Sequence, residues 1–209
     1  MVTFTIPKEI ERFYEFTEKS ELEKKILDCG AGGSRPKIAV FSERGYEAHG
    51  VEISDTQIDR AQKYANENKL DYKIIKADMR KLPFEDESFN FVYSYHSIMH
   101  LTKAGTIKAI KEMLRVLKKD GLLYINFQST DSTGLKWGND IGDNEMLDFS
   151  EVDKHGFNDT FHSFYNNDEA DELFKDLKLL HKGKSSFEYT HNDEKSQSVT
   201  IDYILQKKK

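Results

Sequence analysis

Two features of this chain have residue types and spacing that could do chemistry: the histidines His96 and His100, four residues apart, and the glycine-rich turn Asp28-Cys29-Gly30-Ala31-Gly32-Gly33. Glycines suit a turn between a strand and a helix because such a turn needs positive φ, and because a ligand touches backbone only where no Cβ intervenes. The turn could serve a dinucleotide, a phosphate or another adenosine compound. Asp28 at its mouth either fixes the turn, caps the following helix or meets a cationic group of the ligand. His96 and His100 have helical spacing, but the glutamate of the HExxH pattern is absent. The sequence fixes no third ligand, and His155 and His162 have no defined geometry toward them, so no metal is expected. Cys29 reads as a buried spacer rather than a nucleophile, because the pattern positions no histidine base beside it.

The elements that must hold these residues follow from periodicity. Ile26 and Leu27 end a short apolar run suited to a buried parallel strand, which delivers the glycine turn. A helix over Pro36–Glu43, stopped at Gly45, would turn its N-terminal N–H groups toward an anionic part of the ligand. The next strand, Tyr46–Ile53, ends on Glu52, and an acid just beyond a parallel strand can take both ribose hydroxyls with its two oxygens. Ser54 and Gln57 form a capping box, with Ile58, Ala61 and Ala65 as the inward stripe of the helix that follows. Asp71–Lys76 and Phe89–Tyr93 read as the next strands. Ile107, Ile110, Leu114 and Leu117 predict a helix closed by Lys118-Lys119-Asp120-Gly121, and Leu122–Phe127 predicts a central fifth strand. Strands and helices alternating in this way predict a three-layer α/β sandwich with a mostly parallel sheet. At the N-terminus, Ile10, Phe13 and Tyr14 predict a covering helix over residues 7–19.

Periodicity breaks over residues 128–166, where glycines interrupt a polar segment carrying Trp137, Phe149, Phe157, Phe161, Phe164 and Tyr165. The expectation is a loop with short helices folded over the C-terminal edge of the sheet, an insertion whose rings pack locally or shape a substrate pocket. Asn166 and Glu169 are expected to cap the next helix reciprocally, with Ala170, Leu173, Phe174 and Leu177 facing inward. Ser185–His191 and Ser196–Leu205 then alternate as an antiparallel hairpin.

With Glu52, Asp78 and the run Phe91–Leu101, the glycine turn resembles the signature series of the S-adenosylmethionine-dependent methyltransferases of class I, the Rossmann-like type that acts on small molecules. The resemblance covers roughly Leu22 to Asn126. The family often has a further glycine where this chain has Ser34, and an aspartate where it has Asn90. It implies a seven-stranded sheet in the order 3-2-1-4-5-7-6 with strand 7 antiparallel, in one domain spanning residues 1–209. It also implies S-adenosyl-L-methionine as cofactor, held by Asp28, Gly30 and Gly32, by Glu52 on the ribose, by Asp78 on the adenine amino group, and by Met79 and Ser94 through backbone. His96 is then the candidate base. Tyr14 on the covering helix, Tyr95, His100 and Trp137 are candidate substrate contacts. The activity implied is methyl transfer to a small-molecule nucleophile by in-line substitution; the alternative is a noncatalytic S-adenosylmethionine-binding interaction protein.

Composition is compatible with this reading. At 209 residues, with 14 Phe and 10 Tyr, the chain can bury one sizeable core. Thirty-one basic against 37 acidic residues leave a net charge of −6, which argues against a broad nucleic-acid footprint. A single cysteine excludes an intrachain disulfide. No apolar run is long enough for a signal or membrane segment, so cytoplasmic residence and no membrane partner are expected.

Overall fold

The computed structural model describes residues 5–133, 139–148, 160–191 and 194–208. Its centre is a sheet of five parallel strands: β1 (Lys25–Cys29), β2 (Glu47–Glu52), β3 (Tyr72–Lys76), β4 (Phe89–Ser94) and β5 (Leu117–Ser129). They are ordered β3-β2-β1-β4-β5. Every side chain of β4 is buried, as expected of a central strand covered on both faces. The C-terminal hairpin completes the sheet. β9 (Lys178–His191) pairs antiparallel with β10 (Glu194–Gln206), and β10 pairs antiparallel with β5, from Thr200 opposite Gln128 to Gln206 opposite Leu122. The expected order 3-2-1-4-5-7-6 is therefore present, with β10 and β9 as its seventh and sixth strands. Val199, Ile201 and Tyr203 alternate inward as predicted, while β9 begins seven residues earlier than expected.

Helix α1 (Lys8–Glu18) covers one face of the sheet. Its Ile10 and Phe13 are fully buried, the Phe13 ring lying 6.0 Å from Tyr93 and 5.5 Å from Tyr124. Pro7 precedes it at φ −58°, already fixed where the chain turns into the helix. Helix α2 (Ile38–Glu43) stops at Gly45, whose φ of +81° few other residues adopt. Helix α3 (Asp55–Asn68) is capped by Ser54, whose hydroxyl accepts from the Gln57 N–H at 3.4 Å.

Helix α4 (Lys103–Val116) departs from the predicted stripe. Its buried face is Thr106, Ala109, Ile110, Met113 and Val116, spaced by three and four, whereas Ile107 is 40% exposed. Leu117 already belongs to β5, and so does Lys118-Lys119-Asp120-Gly121, which the local pattern assigned to the helix end. The cation at that end comes from the far terminus of the chain: the Lys207 ammonium donates to the carbonyls of Leu114 and Leu117 at 2.9 and 2.6 Å. A helix C-terminus attracts a cation whatever its sequence distance, and the hairpin brings Lys207 alongside Asp120 and Gly121.

The insertion also differs from expectation. Its described parts are strands rather than short helices: β6 (Asn139–Gly142), β7 (Glu145–Asp148) and β8 (Thr160–Tyr165). Asp143 and Asn144, at φ 52° and 57°, make the two-residue left-handed turn that matches strand twist in a tight hairpin. β8 joins β5 in parallel at Gln128 and Ser129, beyond the point where β4 ends opposite Ile125. This small sheet therefore extends the main one past its C-terminal edge. Phe164 and Tyr165 drop into the core. The segment after it is a 3-10 helix, Glu169–Phe174, with Ala170 and Phe174 buried. Only half of its reciprocal cap forms. Glu169 accepts from the Asn166 N–H at 3.0 Å, but the Asn166 side chain is taken by the Thr130 hydroxyl.

Candidate cofactor and acceptor site

At the C-terminal ends of β1, β2 and β4, the turn after β1 opens into a cavity of about 570 Å³. The turn is pinned by the N–H groups of Gly30 and Ala31, both donating to the Val51 carbonyl at 2.9 and 3.0 Å. Gly30 has φ +106°, and a Cβ there would lie 2.1 Å from Ser97 Oγ. Gly32 is required by proximity: a Cβ would lie 2.5 Å from Gln57 Cβ and 2.7 Å from Glu52 Oε2. Both positions exclude a side chain, so backbone forms that wall of the cavity.

Glu52 ends β2 with its carboxylate held by three backbone donors. Oε2 accepts from Gly32 at 3.2 Å, and Oε1 accepts from Ile53 at 2.8 Å and Ser54 at 3.0 Å. Oε1 is thereby filled, and Oε2 retains accepting capacity toward the cavity. Asp28 also lines the cavity, 2% exposed, and its Oδ2 accepts the Tyr93 hydroxyl at 2.6 Å. Burial pushes its carboxyl up to about 7, against the opposing effect of the Tyr93 bond. The backbone N–H of Ile38, first residue of α2, also favours the ionised form. Asp28 thus touches the helix start and faces the cavity.

Asp78 and Met79 line the same cavity. The Asp78 carboxylate is engaged by Arg80, whose guanidinium donates at 2.6 to 3.0 Å and whose backbone N–H donates at 2.8 Å. These bonds hold its carboxyl below the usual range. An adenine amino group at Asp78 would share the carboxylate with Arg80. Ser94 is fully buried in β4, its hydroxyl without a partner, and the cavity wall is taken up by the residues after it.

Tyr95, His96 and Ser97 form the opposite wall. His96 has φ +53°, an uncommon conformation for a residue with a Cβ, and its N–H donates to Asn126 Oδ1 at 2.9 Å. Its ring lies 4.2 Å from Tyr95 and 6.3 Å from Phe187. Burial drops the imidazole to about 4, so it is a free base at neutral pH. His100 lies on the exposed rim, 5.0 Å from the His162 ring of β8. Among the described residues, Phe161, also on β8, is the ring through which the insertion reaches the cavity. Tyr14 sits elsewhere, packed at 6.4 and 6.3 Å against Phe41 and Tyr46 with the Arg44 guanidinium 3.9 Å above it. Trp137 lies outside the described residues.

Sequence reasoning missed Ser97, whose hydroxyl donates to the Tyr95 carbonyl at 3.2 Å beside Gly30, and Asn126, which holds His96. The signal for Asn126 was present: a lone amide inside the apolar run Leu122–Phe127. Among the described residues, no group of three or more His, Cys, Asp or Glu could hold a metal. No helix there is long and apolar enough to cross a membrane.

Comparison with known proteins agrees with this geometry. Residues 27–125 match the family described as "Methyltransferase domain". The chain is 35% identical over 106 residues to the sterol 24-C-methyltransferase of Candida albicans, covering 48% of this chain and 27% of that protein. It is 36% identical over 114 residues to the sterol 4-C-methyltransferase strm-1 of Caenorhabditis elegans, covering 52% and 33%. The chain thus spans well under half the length of these curated relatives. Among solved structures, a S-adenosylmethionine-dependent methyltransferase from Clostridium acetobutylicum superposes with a TM-score of 0.73 at 14% identity, over 99% of this chain and 94% of that one. One from Methanosarcina mazei gives 0.71 at 19% identity, over 93% and 98%. At such identities the likeness shows a shared fold.

Proposed function

We propose that this chain, which has the class I, Rossmann-like fold of the S-adenosylmethionine-dependent methyltransferases and for which S-adenosyl-L-methionine is the cofactor that fold and family match imply, methylates a small molecule. The observation that carries the reading is one continuous cavity running from Glu52 and Gly32 to Tyr95 and His96. At about 570 Å³ it lies within the range of small-ligand and cofactor sites.

The cofactor supplies an electrophilic methyl group on a sulfonium; the residues here bind, orient and move a proton. Glu52 would hold the ribose through the carboxylate that Gly32, Ile53 and Ser54 already aim, with Oε2 the oxygen free to accept. Ionised Asp28 would meet the amino group of the cofactor, with Gly30 and Gly32 allowing the backbone to approach. Asp78 and the Met79 backbone would bound the adenine, and Tyr95 would face the methionine part, since Ser94 lies behind the cavity wall. Tyr95, His100 and Phe161 would position the acceptor beside the methyl group, and that proximity would supply most of the rate. His96, a free base above pH 4, takes the proton as the acceptor becomes acidic during transfer.

The test is incubation of a metabolite extract with methyl-labelled S-adenosylmethionine and identification of the labelled product. A labelled small molecule supports the reading. Label only in RNA or protein overturns the acceptor class, and no product despite verified cofactor binding favours a noncatalytic binding protein.

A further inference from the structure

The acids and bases that line the cavity do not cancel one another. The acids are Asp28, Glu52 and Asp78, and the permanent cations are Arg35, Lys37 and Arg80. Asp78 and Arg80 neutralise each other through paired hydrogen bonds. Glu52 is turned to the backbone N–H groups of Gly32, Ile53 and Ser54, and Asp28 is held by the Tyr93 hydroxyl. Arg35 and Lys37 follow the glycine turn, and the Lys37 ammonium lies 6.0 Å from the centre of the Tyr95 ring. No hydrogen bond or ion pair from a described residue reaches the Arg35 guanidinium, which stands exposed at the cavity wall.

The fold holds these two cations together. Lys37 Nζ donates to the Arg35 carbonyl at 3.0 Å, which folds its stem back over the residue that bears the guanidinium. Burial lowers the Lys37 ammonium and the charge of Arg35 lowers it further, with Asp28 opposing both. An anion seated against the pair relieves that repulsion. The pair also belongs to the end of the cavity where Tyr95 and His96 stand. After burial, the charges that bear on the His96 ring are Glu9 of α1, which lies outside the cavity lining, and Lys37, which lies in it. A guanidinium fork beside an ammonium suits a carboxylate, and the rings of Tyr95 and Phe161 in the same cavity suit an apolar body attached to it. A carboxylate there also complements the sulfonium that an acceptor approaches.

We propose that Arg35 and Lys37 form a carboxylate subsite at the Tyr95 end of the cavity, so that the methyl acceptor is a small carboxylic acid. The occupant rests on the methyltransferase reading; the existence of an anion subsite does not. Benzoate is the probe, and benzamide, its neutral counterpart of the same shape, is the control. With S-adenosylhomocysteine saturating, ligand-observed NMR should show benzoate binding at least about tenfold tighter than benzamide. The Arg35 Nε–H resonance should move with benzoate and not with benzamide. Arg35→Gln and Lys37→Gln should each reduce the preference and the double variant should erase it. Arg80→Gln, which removes a cation already paired with Asp78, should keep it. Equal binding of the two probes, an unmoved Arg35 signal, a preference that survives the double variant or one lost in Arg80→Gln overturns the subsite. The carboxylate of the cofactor is the competing occupant. Benzoate that displaces S-adenosylhomocysteine, or a double variant that weakens S-adenosylhomocysteine but not 5′-methylthioadenosine, which lacks the amino-acid part, assigns the cations to the cofactor and overturns the acceptor assignment. Calorimetry separates this proposal from the one it rests on: no S-adenosylhomocysteine binding defeats the methyltransferase reading, while benzoate against benzamide in the free protein still decides the anion subsite.

Discussion

The Tyr93 hydroxyl donates to Asp28 Oδ2 at 2.6 Å, joining β4 to β1 directly beneath the glycine turn. This bond partly offsets the burial that lifts Asp28 from 3.8 to about 7. A carboxyl with a raised folded pKa imposes no cost below its unfolded value and an increasing one as pH rises from about 4 to about 7. The ionised form is nevertheless the one that meets an ammonium group. S-adenosylhomocysteine affinity should therefore rise between pH 6 and 8 and level off above. Asp28→Asn should abolish that rise and weaken binding, yet stabilise the free protein at pH 8 by about 1–3 kcal/mol. Calorimetry across pH and denaturant melts of the variant check both; a pH-independent wild-type affinity would remove Asp28 from the binding role.

For His96 the sign is reversed. Its folded pKa falls from 6.5 to about 4, so its contribution is fully present above pH 6.5 and is lost as pH drops toward 4. Replacement should use asparagine, which tolerates the left-handed backbone that His96 adopts. His96→Asn should flatten the loss of stability between pH 6.5 and 4 and lower methyl transfer by about 10²–10⁴-fold with cofactor affinity unchanged. The wild-type rate should show no histidine titration between pH 6 and 8. An undiminished rate in the variant across pH would reject the base role.

Glu52 has an observed structural role and a proposed binding role that mutation can separate. Glu52→Ala removes the acceptor for three backbone N–H groups as well as the proposed ribose contact, so both stability and binding should fall, binding by about 1–3 kcal/mol. Glu52→Gln keeps one acceptor oxygen and should recover most of the stability and little of the affinity. Parallel melts and titrations with S-adenosylhomocysteine would show the split, and equal affinity in all three proteins would reject the ribose assignment.

What the sequence revealed follows from the range over which each cause acts. The glycine turn, Glu52 and the alternation Val199, Ile201, Tyr203 were readable because close backbone approach and two-sided burial leave local marks. The face of α4 was misjudged at Ile107 because which side a helix buries depends on the sheet beneath it, and an isoleucine that fits the period can still face solvent. The hairpins of the insertion were missed because their turn, Asp143-Asn144, lacks the glycine that usually announces a left-handed pair within it. The Asn126 contact with His96 joins residues 30 positions apart, and no local pattern encodes it.

Lys207 illustrates the same point as a stability prediction. Its ammonium caps the carbonyls of Leu114 and Leu117, while Lys118, the nearer candidate, reaches Glu23 and Asn90 instead. Lys207→Met, which keeps the apolar stem, should destabilise the fold by about 1 kcal/mol. Lys118→Met should cost less, because its ion pair with Glu23 is exposed. Thermal melts of the two variants side by side give the comparison, and a larger loss at Lys118 would favour the local cap.

The contact of Gly30 with Ser97 couples the glycine turn to the loop after β4, and it can be tested by a pair of substitutions. In Gly30→Ala the added methyl meets Ser97 Oγ at 2.1 Å and Ser97 Cβ at 2.3 Å, and the backbone must also hold φ +106°. The overlap must push the loop that carries Tyr95 and His96 away from the turn, so stability should fall by about 2–4 kcal/mol and cofactor binding with it. Ser97→Ala does not relieve this, since the Cβ itself is in the way. Gly30→Ala/Ser97→Gly removes both overlapping atoms and leaves only the backbone strain, so it should recover part of the stability lost and more of the affinity than Gly30→Ala/Ser97→Ala. Denaturant melts and S-adenosylhomocysteine titrations on the four variants measure the coupling. Equal affinity in the two double variants would mean that the strain of the turn, rather than its contact with the loop, is what makes glycine necessary at position 30.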